Sequence, residues 1–163
     1  MSSSPNGTRG AKGLSRSQAR LAAVQALYQM DLAETDLSAV IEEFKTHRLG
    51  SEGENGTATE ADREHFVHVL KGVVRRQREI DPMIDQQLAQ GWRLTRVDSI
   101  VRAILRAAAF ELMELADVPP RVVISEYIDV AHAFFEGDEP RVVNGVLDQL
   151  ARKLRPGELP ERG

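Results

Sequence analysis

Cysteine is absent from this sequence of 163 residues, and several kinds of site are absent with it. A disulfide framework, a thiolate zinc site and a thiol nucleophile are excluded, and the absence fits a reducing compartment. No apolar run approaches the roughly 18 residues of a membrane span, and the Ser-rich start lacks the apolar stretch of a signal peptide. We therefore expect a cytoplasmic protein that does not contact a membrane.

Acidic residues are missing from the first 30 positions, which contain Arg9, Lys12, Arg16 and Arg20. The whole chain has a net charge of −4, and all of its acidic residues lie after position 30. A basic N-terminal arm on an acidic body would attract an anionic partner to one place. The alternative is a solvated tail without a partner. Residues 1–13 are rich in Ser, Gly, Pro and Asn, and we expect them to be disordered.

Apolar residues recur every three or four positions over most of the chain, which is the period of an amphipathic helix. Asp81-Pro82 is typical of a helix start, with Asp as the cap and Pro in the first turn, so we expect a break there. The pattern predicts an all-α domain over 14–156, followed by a tail over 157–163. Its seven expected helices carry Leu21 to Leu32, Val40 to Phe44, Phe66 to Ile80, Met83 to Leu88, Val101 to Leu115, Ile124 to Phe134 and Val143 to Leu154.

Motifs for catalysis or metal binding are not evident. His65 and His68 have a spacing that could share a metal, but no third ligand is near, so we expect two surface histidines and no metal. The glycines between residues 50 and 58 lack the spacing and the Lys of a phosphate-binding loop. Neither a Ser-His-Asp order nor paired carboxylates stand out. We therefore expect a protein that is not an enzyme and has no cofactor.

Four segments, in the expected order from residue 16 to about 155, resemble the signatures of the NusB family. They are Ala19-Arg20 with Ala23-Val24-Gln25-Ala26-Leu27-Tyr28, Arg102-Ala103-Ile104-Leu105-Arg106 with Phe110-Glu111-Leu112, Val118-Pro119-Pro120-Arg121-Val122, and Asn144-Gly145-Val146-Leu147-Asp148. The resemblance implies an all-α fold of two small helical bundles. It also implies binding of the single-stranded boxA segment of nascent RNA, together with the ribosomal protein NusE. Such a complex helps RNA polymerase to read through terminators, chiefly on ribosomal RNA operons.

The resemblance places RNA-binding residues at both ends of the chain. Arg16 and Arg20 lie four residues apart and share a helical face, and guanidinium groups suit phosphate; the family has a denser arginine cluster here. Tyr28 and Phe134 match aromatic positions that the family places near RNA, although both also fit apolar core stripes. Asp138 matches an RNA-associated position or is a plain helix cap.

Other expected roles follow from the same resemblance. Arg141, after Asp138, is expected to contact phosphate, although Pro140 replaces a residue that is polar in the family. For NusE, Asp98 and Arg102 are the expected contacts, with an internal salt bridge as the alternative for Arg102. We interpret Asn144-Gly145 as structural, with Gly145 allowing close helix packing and Asn144 bonding a neighbouring backbone.

Two other functions remain to be weighed. An RNA methyltransferase whose N-terminal part resembles this family would need a further catalytic domain with strands, and the length and pattern of this chain do not favour one. A helical scaffold that binds only protein does not account for the basic N-terminal segment. Self-association into a homodimer is left open.

Overall fold

The protein, seen here in a computed structural model, is described over residues 5–48, 60–88 and 93–160. These ranges contain helices and turns and no strand, which confirms the all-α prediction. None of the described helices is long and apolar enough to cross a membrane. The helices are α1 (Pro5–Ala33), α2 (Leu37–Glu43), α3 (Glu60–Gln87), α4 (Ser99–Glu114), α5 (Pro120–Phe134) and α6 (Glu139–Leu154), with a π-helical turn at Phe44–Arg48 and a 3-10 turn at Leu94–Arg96.

The chain divides into two compact units, residues 1–70 and residues 71–163, and the division falls within α3. This agrees with the expectation of two small bundles. Unit 1 holds α1, α2, the π-helical turn and the first part of α3. Unit 2 holds the rest of α3, the 3-10 turn and α4 to α6. The limits of the predicted domain, residues 14 and 156, stay a prediction.

Small residues on α1 and larger apolar residues on the other elements form the core of unit 1. Asp36 caps the start of α2, because its side chain accepts a hydrogen bond from the Ser38 amide at 3.1 Å. The ring of Phe44 stacks on Phe66 of α3, with centroids 5.7 Å apart. The fully or nearly fully buried members of this core are Ala19, Ala23, Val24, Ala26, Val40, Phe44, Phe66, Val69 and Leu70.

The most buried helix of unit 2 is α4, in which ten residues are buried over a wide apolar arc. It packs against both α5 and α6, which also pack against each other. The buried alanines at 107, 108 and 109 have small side chains, which let these neighbouring helices approach closely. Glu111 is completely buried and accepts a hydrogen bond from the Tyr127 hydroxyl of α5.

The predicted helix break at Asp81-Pro82 is wrong, since α3 continues through Pro82. Proline removes one backbone hydrogen bond and costs a helix interior about 3 kcal/mol. Ile80 and Ile84 are fully buried on either side of it, and burying two such side chains offsets a cost of that size. Asp81 does not cap a helix: the Arg106 guanidinium of α4 holds it through two hydrogen bonds of 2.9 Å.

The first helix begins at Pro5 rather than near Ser15, so the backbone from Pro5 differs from the predicted disordered arm. Residues 1–4 lie outside the described residues. Extending an existing helix costs less than nucleating one, so a helix anchored by the packed residues of α1 continues into a weakly helical segment. Leu32, expected on the apolar stripe, is 58% exposed near the other end.

Arg155, just beyond α6, organises one end of unit 2. Its guanidinium is buried and donates to the backbone carbonyls of Leu112, Leu115, Ala116 and Val118, at 2.7 to 3.4 Å. Two further hydrogen bonds, of 2.8 and 2.9 Å, reach the Glu158 carboxylate. One side chain therefore satisfies the free carbonyls at the end of α4 and in the following turn.

Candidate nucleic-acid interface

Arg16 presents a partly exposed guanidinium on α1. Its side chain is 37% exposed, and its Nε lies 3.6 Å from Oδ1 of the buried Asp62 at the start of α3. That Nε is buried and has no hydrogen-bond partner among the described residues. The Asp62 carboxylate therefore attracts the Nε edge of the Arg16 guanidinium. Part of the Arg16 side chain still reaches solvent, where it could bind a phosphate.

Arg20, one turn later, is placed differently from its expected role. It is only 3% exposed and has an interaction partner inside the protein. A guanidinium in this position does not reach a phosphate on the surface. Because buried charges are stable only when paired, Arg20 is better suited to holding unit 1 together than to contacting RNA.

The two aromatic candidates are neither core residues nor fully exposed. Tyr28 of α1 and Phe134, the last residue of α5, are both intermediate in exposure, as is the neighbouring Phe135. Truly buried aromatic rings of the protein, such as Tyr127 and Phe110, are completely inaccessible. The alternative that Tyr28 and Phe134 are plain core residues is therefore not supported, and each ring keeps some surface on which a base could stack.

The start of α6 combines charge with an exposed apolar side chain. Asp138 is exposed at the cap position, but its side chain makes no capping hydrogen bond; its backbone carbonyl accepts from the amides of Arg141 and Val142 at 3.0 and 3.1 Å. Arg141 is exposed as expected. Pro140 is buried in the first turn, where proline suits a helix.

Val142 was missed by the sequence reasoning. It is 37% exposed beside Arg141, whereas the adjacent Val143 is fully buried. Two consecutive valines give no signal for which one faces the core until the helix register is known. Phe134, Asp138, Arg141 and Val142 thus lie within one short stretch that ends α5 and begins α6.

The expected NusE contacts both have local structural roles at the start of α4. Asp98 caps the helix, since its Oδ1 accepts from the Ile100 amide at 2.7 Å and the Val101 amide at 3.4 Å. Arg102 donates to the carbonyls of Leu94 and Thr95, each at 3.1 Å. Asp98 nevertheless remains exposed, so capping and partner binding are compatible for it.

The histidines do not form a metal site in the part of the chain that the structure describes, where no group of three or more potential ligands occurs. His65 is buried, which makes its expected surface position wrong, while His68 is exposed. Burial of His65 follows from the register of α3, because the neighbouring Phe66 and Val69 face the core of unit 1.

The interpretation of Asn144-Gly145 as a packing device is also wrong. Both residues are exposed in the middle of α6. A Cβ added to Gly145 would meet nothing within 4 Å. Close helix packing therefore does not require this glycine.

A model of one family, NusB, matches residues 17–152 of the chain. The chain belongs to the NusB family. A relative described as transcription antitermination protein NusB, from Allorhizobium ampelinum, is 54% identical over 140 residues, which are 86% of this chain and 88% of the relative. The family match begins within α1, one residue after Arg16, spans both units, and includes Asn144-Gly145.

Solved structures of the NusB family have the same fold. NusB of T. maritima superposes with a TM-score of 0.75 at 29% identity, covering 88% of this chain and 94% of that one. A chain in a crystal structure of the antitermination factors NusB and NusE in complex with double-stranded RNA superposes with a TM-score of 0.71 at 24% identity, covering 85% and 96%. At that identity the second likeness concerns the fold alone.

Proposed function

We propose that this protein is a transcription antitermination factor that binds boxA-like single-stranded RNA together with NusE. Membership of the NusB family over residues 17–152 carries the proposal, since the relative that is 54% identical is named for antitermination. The crystal of NusB with NusE and RNA supports the choice of partners at the level of the fold. The protein acts by binding, in the cytoplasm, as part of a complex that lets RNA polymerase pass terminators on ribosomal RNA operons.

The proposed RNA contacts differ in kind. Arg16 and Arg141 contact phosphates, Tyr28 and Phe134 stack on bases, and Asp138 accepts hydrogen bonds from base amino groups. Val142 adds apolar surface beside Arg141. The buried Arg20 is proposed to support Arg16 and α1 from inside unit 1, in place of the direct contact first expected of it.

Salt dependence tests the phosphate contacts. Arg16→Ala and Arg141→Ala should each weaken binding of boxA-like RNA and flatten the plot of log affinity against log salt by about 0.7, the value per phosphate on a single strand. The matched control is Lys153→Ala, which removes the same charge from the other end of α6. Filter binding at several salt concentrations measures both quantities. A slope that Lys153→Ala changes as much as Arg141→Ala does would contradict the assignment.

The NusE contact is proposed at the start of α4, through Asp98 and Arg102. Asp98→Asn removes the charge but keeps a side-chain oxygen that caps the helix. We expect this variant to lose affinity for purified NusE while its melting temperature stays within about 1 °C of the original. Unchanged NusE affinity, measured by calorimetry, would exclude Asp98 from the interface.

The residues proposed to contact RNA and NusE could instead form a homodimer interface. Sedimentation of the RNA-free protein over a range of concentrations, with and without RNA, measures it. Dissociation of a dimer by RNA would indicate that self-association covers the RNA-binding surface.

A further inference from the structure

Two adjacent residues of α6, Asn144 and Gly145, have no structural explanation within the described chain. Glycine and asparagine both weaken a helix relative to alanine. Nothing lies within 4 Å of a Cβ at Gly145, and the Asn144 side chain has no hydrogen bond to any described residue. A helix that carries two unfavourable residues at exposed positions gains nothing from them in its own fold.

Asn144 also lines a surface groove of about 460 Å³ between α5 and α6. Its lining combines charged side chains of both signs with the apolar residues Ile124, Ile128, Leu159 and Pro160. Arg152 is already paired within the groove, because its Nε lies 3.0 Å from Oδ2 of Asp148. The polar and apolar lining includes Arg121, Ile128, Asp129, Asn144, Asp148 and Arg152.

We propose that this groove takes an unpaired base of the bound RNA, with Asn144 reading the edge of the base and Gly145, the next residue of α6 and just outside the lining, letting the rest of the nucleotide lie against the helix backbone. The inference rests on the proposed function and deepens it. An asparagine amide carries a donor and an acceptor side by side, which matches a base edge in two hydrogen bonds. A glycine allows an approach to the backbone that a Cβ would obstruct.

The chemistry of the groove favours a base over a phosphate or a protein helix. Two carboxylates, Asp129 and Asp148, line it together with two arginines, Arg121 and Arg152, so the groove has no net positive charge to attract a phosphate, while the carboxylates accept hydrogen bonds from base amino groups. A docked helix would require an unbroken apolar stripe, whereas the apolar residues of the lining, Ile124, Ile128, Leu159 and Pro160, share it with Ser125, Asn144 and four charged side chains. Arg141 is exposed one helical turn before Asn144, so the strand that it contacts by a phosphate is close to the groove.

The test uses effects of opposite sign on folding and on binding. Gly145→Ala should raise the melting temperature by about 2–4 °C, because alanine is the better helix former and nothing obstructs its Cβ. The same change should weaken binding of boxA-like RNA roughly tenfold, and so should Asn144→Ala. The control is Gln149→Ala, an exposed position of α6 outside the groove lining, which should leave RNA affinity unchanged.

Two further readouts separate a base contact from other roles. Unlike Arg141→Ala, Asn144→Ala should leave the salt slope unchanged, and in a series of RNAs with single-base changes it should abolish discrimination at one position. If the full chain binds RNA and both groove variants bind equally well, the inference fails and the proposed function stands. A loss of NusE affinity with unaltered RNA affinity overturns it in favour of a protein-binding groove, and a fall in melting temperature overturns it in favour of a structural role. If the unsubstituted protein does not bind RNA, both proposals fail.

Discussion

Phe134 and Phe110 differ in exposure and should therefore differ in what their loss affects. Phe134 is partly exposed at the end of α5, whereas Phe110 is completely buried in α4. Phe134→Ala should cost roughly 1–3 kcal/mol of RNA binding and less than about 2 kcal/mol of folding stability, because a partly exposed ring leaves a smaller cavity. Phe110→Ala should cost about 3–5 kcal/mol of stability. Urea unfolding and RNA titration of both variants measure the difference.

The parallel variant Phe135→Ala shows whether the correct ring of the adjacent pair has been chosen. If Phe134→Ala loses several kcal/mol of stability while the folded fraction keeps its RNA affinity, the stacking role is refuted. Loss of RNA affinity in Phe135→Ala alone would transfer the role to the neighbouring ring.

Arg155 is a charged residue near the end of the chain, but its side chain is buried in unit 2, so we expect its replacement to be poorly tolerated. A lysine has no planar fork and cannot reach several carbonyls and a carboxylate at once. Arg155→Lys should lower the free energy of unfolding by about 2–4 kcal/mol, because buried carbonyls lose their donors. Urea denaturation checks this, with Arg152→Lys, a partly exposed pair one turn earlier, as the control. Equal small losses in both variants would contradict the role of Arg155.

The Arg155–Glu158 pair also predicts a pH dependence. The hydrogen bonds from Arg155, and its charge, lower the pKa of Glu158 below the ordinary value of 4.5. Since the folded-state pKa lies below the unfolded one, the pair stabilises the fold above about pH 4.5 and this contribution disappears as pH falls through the lowered pKa. Glu158→Gln should therefore lower the melting temperature at about pH 7, and the difference from the original protein should shrink as the pH falls below about 4.5. Glu136→Gln, an exposed control, should show no such convergence.

At the level of the helices, the close approach of α3 and α4 depends on Gly72. A Cβ at this position would overlap the ring of Phe110, which is completely buried and has little room to move. Gly72→Ala should destabilise the protein by about 1–3 kcal/mol through overpacking, despite the better helix propensity of alanine. Gly145→Ala, where the Cβ is unobstructed, is the matched control and should stabilise.

A second substitution identifies the ring as the cause. Combining Gly72→Ala with Phe110→Leu should cost less than the sum of the two single changes, because the smaller side chain makes room for the methyl group. Additive losses in urea denaturation would mean that Gly72 matters for another reason.

Helix starts with local signals were predictable, and those decided by tertiary contacts were not. Asp36 and Asp98 cap α2 and α4 by accepting hydrogen bonds from amides two or three residues later. Both partners of each bond lie within the same short segment, so the local sequence is enough to predict the cap. Asp81-Pro82 has the same local signal, but its outcome depends on the burial of Ile80 and Ile84 and on Arg106 from a distant helix. No local pattern could have predicted that pairing.

Prediction of the candidate site was limited for the same reason. Arg16 and Arg20 share a helical face in the sequence, yet burial separates their roles. The sequence suggested a packing role for Gly145 because a glycine, without a Cβ, allows a close approach of another helix. Its exposure depends on the register of α6 against its neighbours, which side-chain packing sets.

For the molecule as a whole, the distribution of charge should matter more for RNA binding than the net charge of −4. The first 30 residues contain four basic residues and no acid, so Arg9 and Lys12 extend the positive charge of Arg16 towards the N-terminus. Replacing both with Gln should reduce the salt slope of RNA binding by about 1.4, for two phosphate contacts on a single strand. The control, Lys71→Gln with Lys153→Gln, changes the net charge equally at exposed positions of α3 and α6. An equal effect of the two pairs on affinity and slope would mean that the protein attracts RNA by its overall charge alone, and the N-terminal segment would then have no special part in binding.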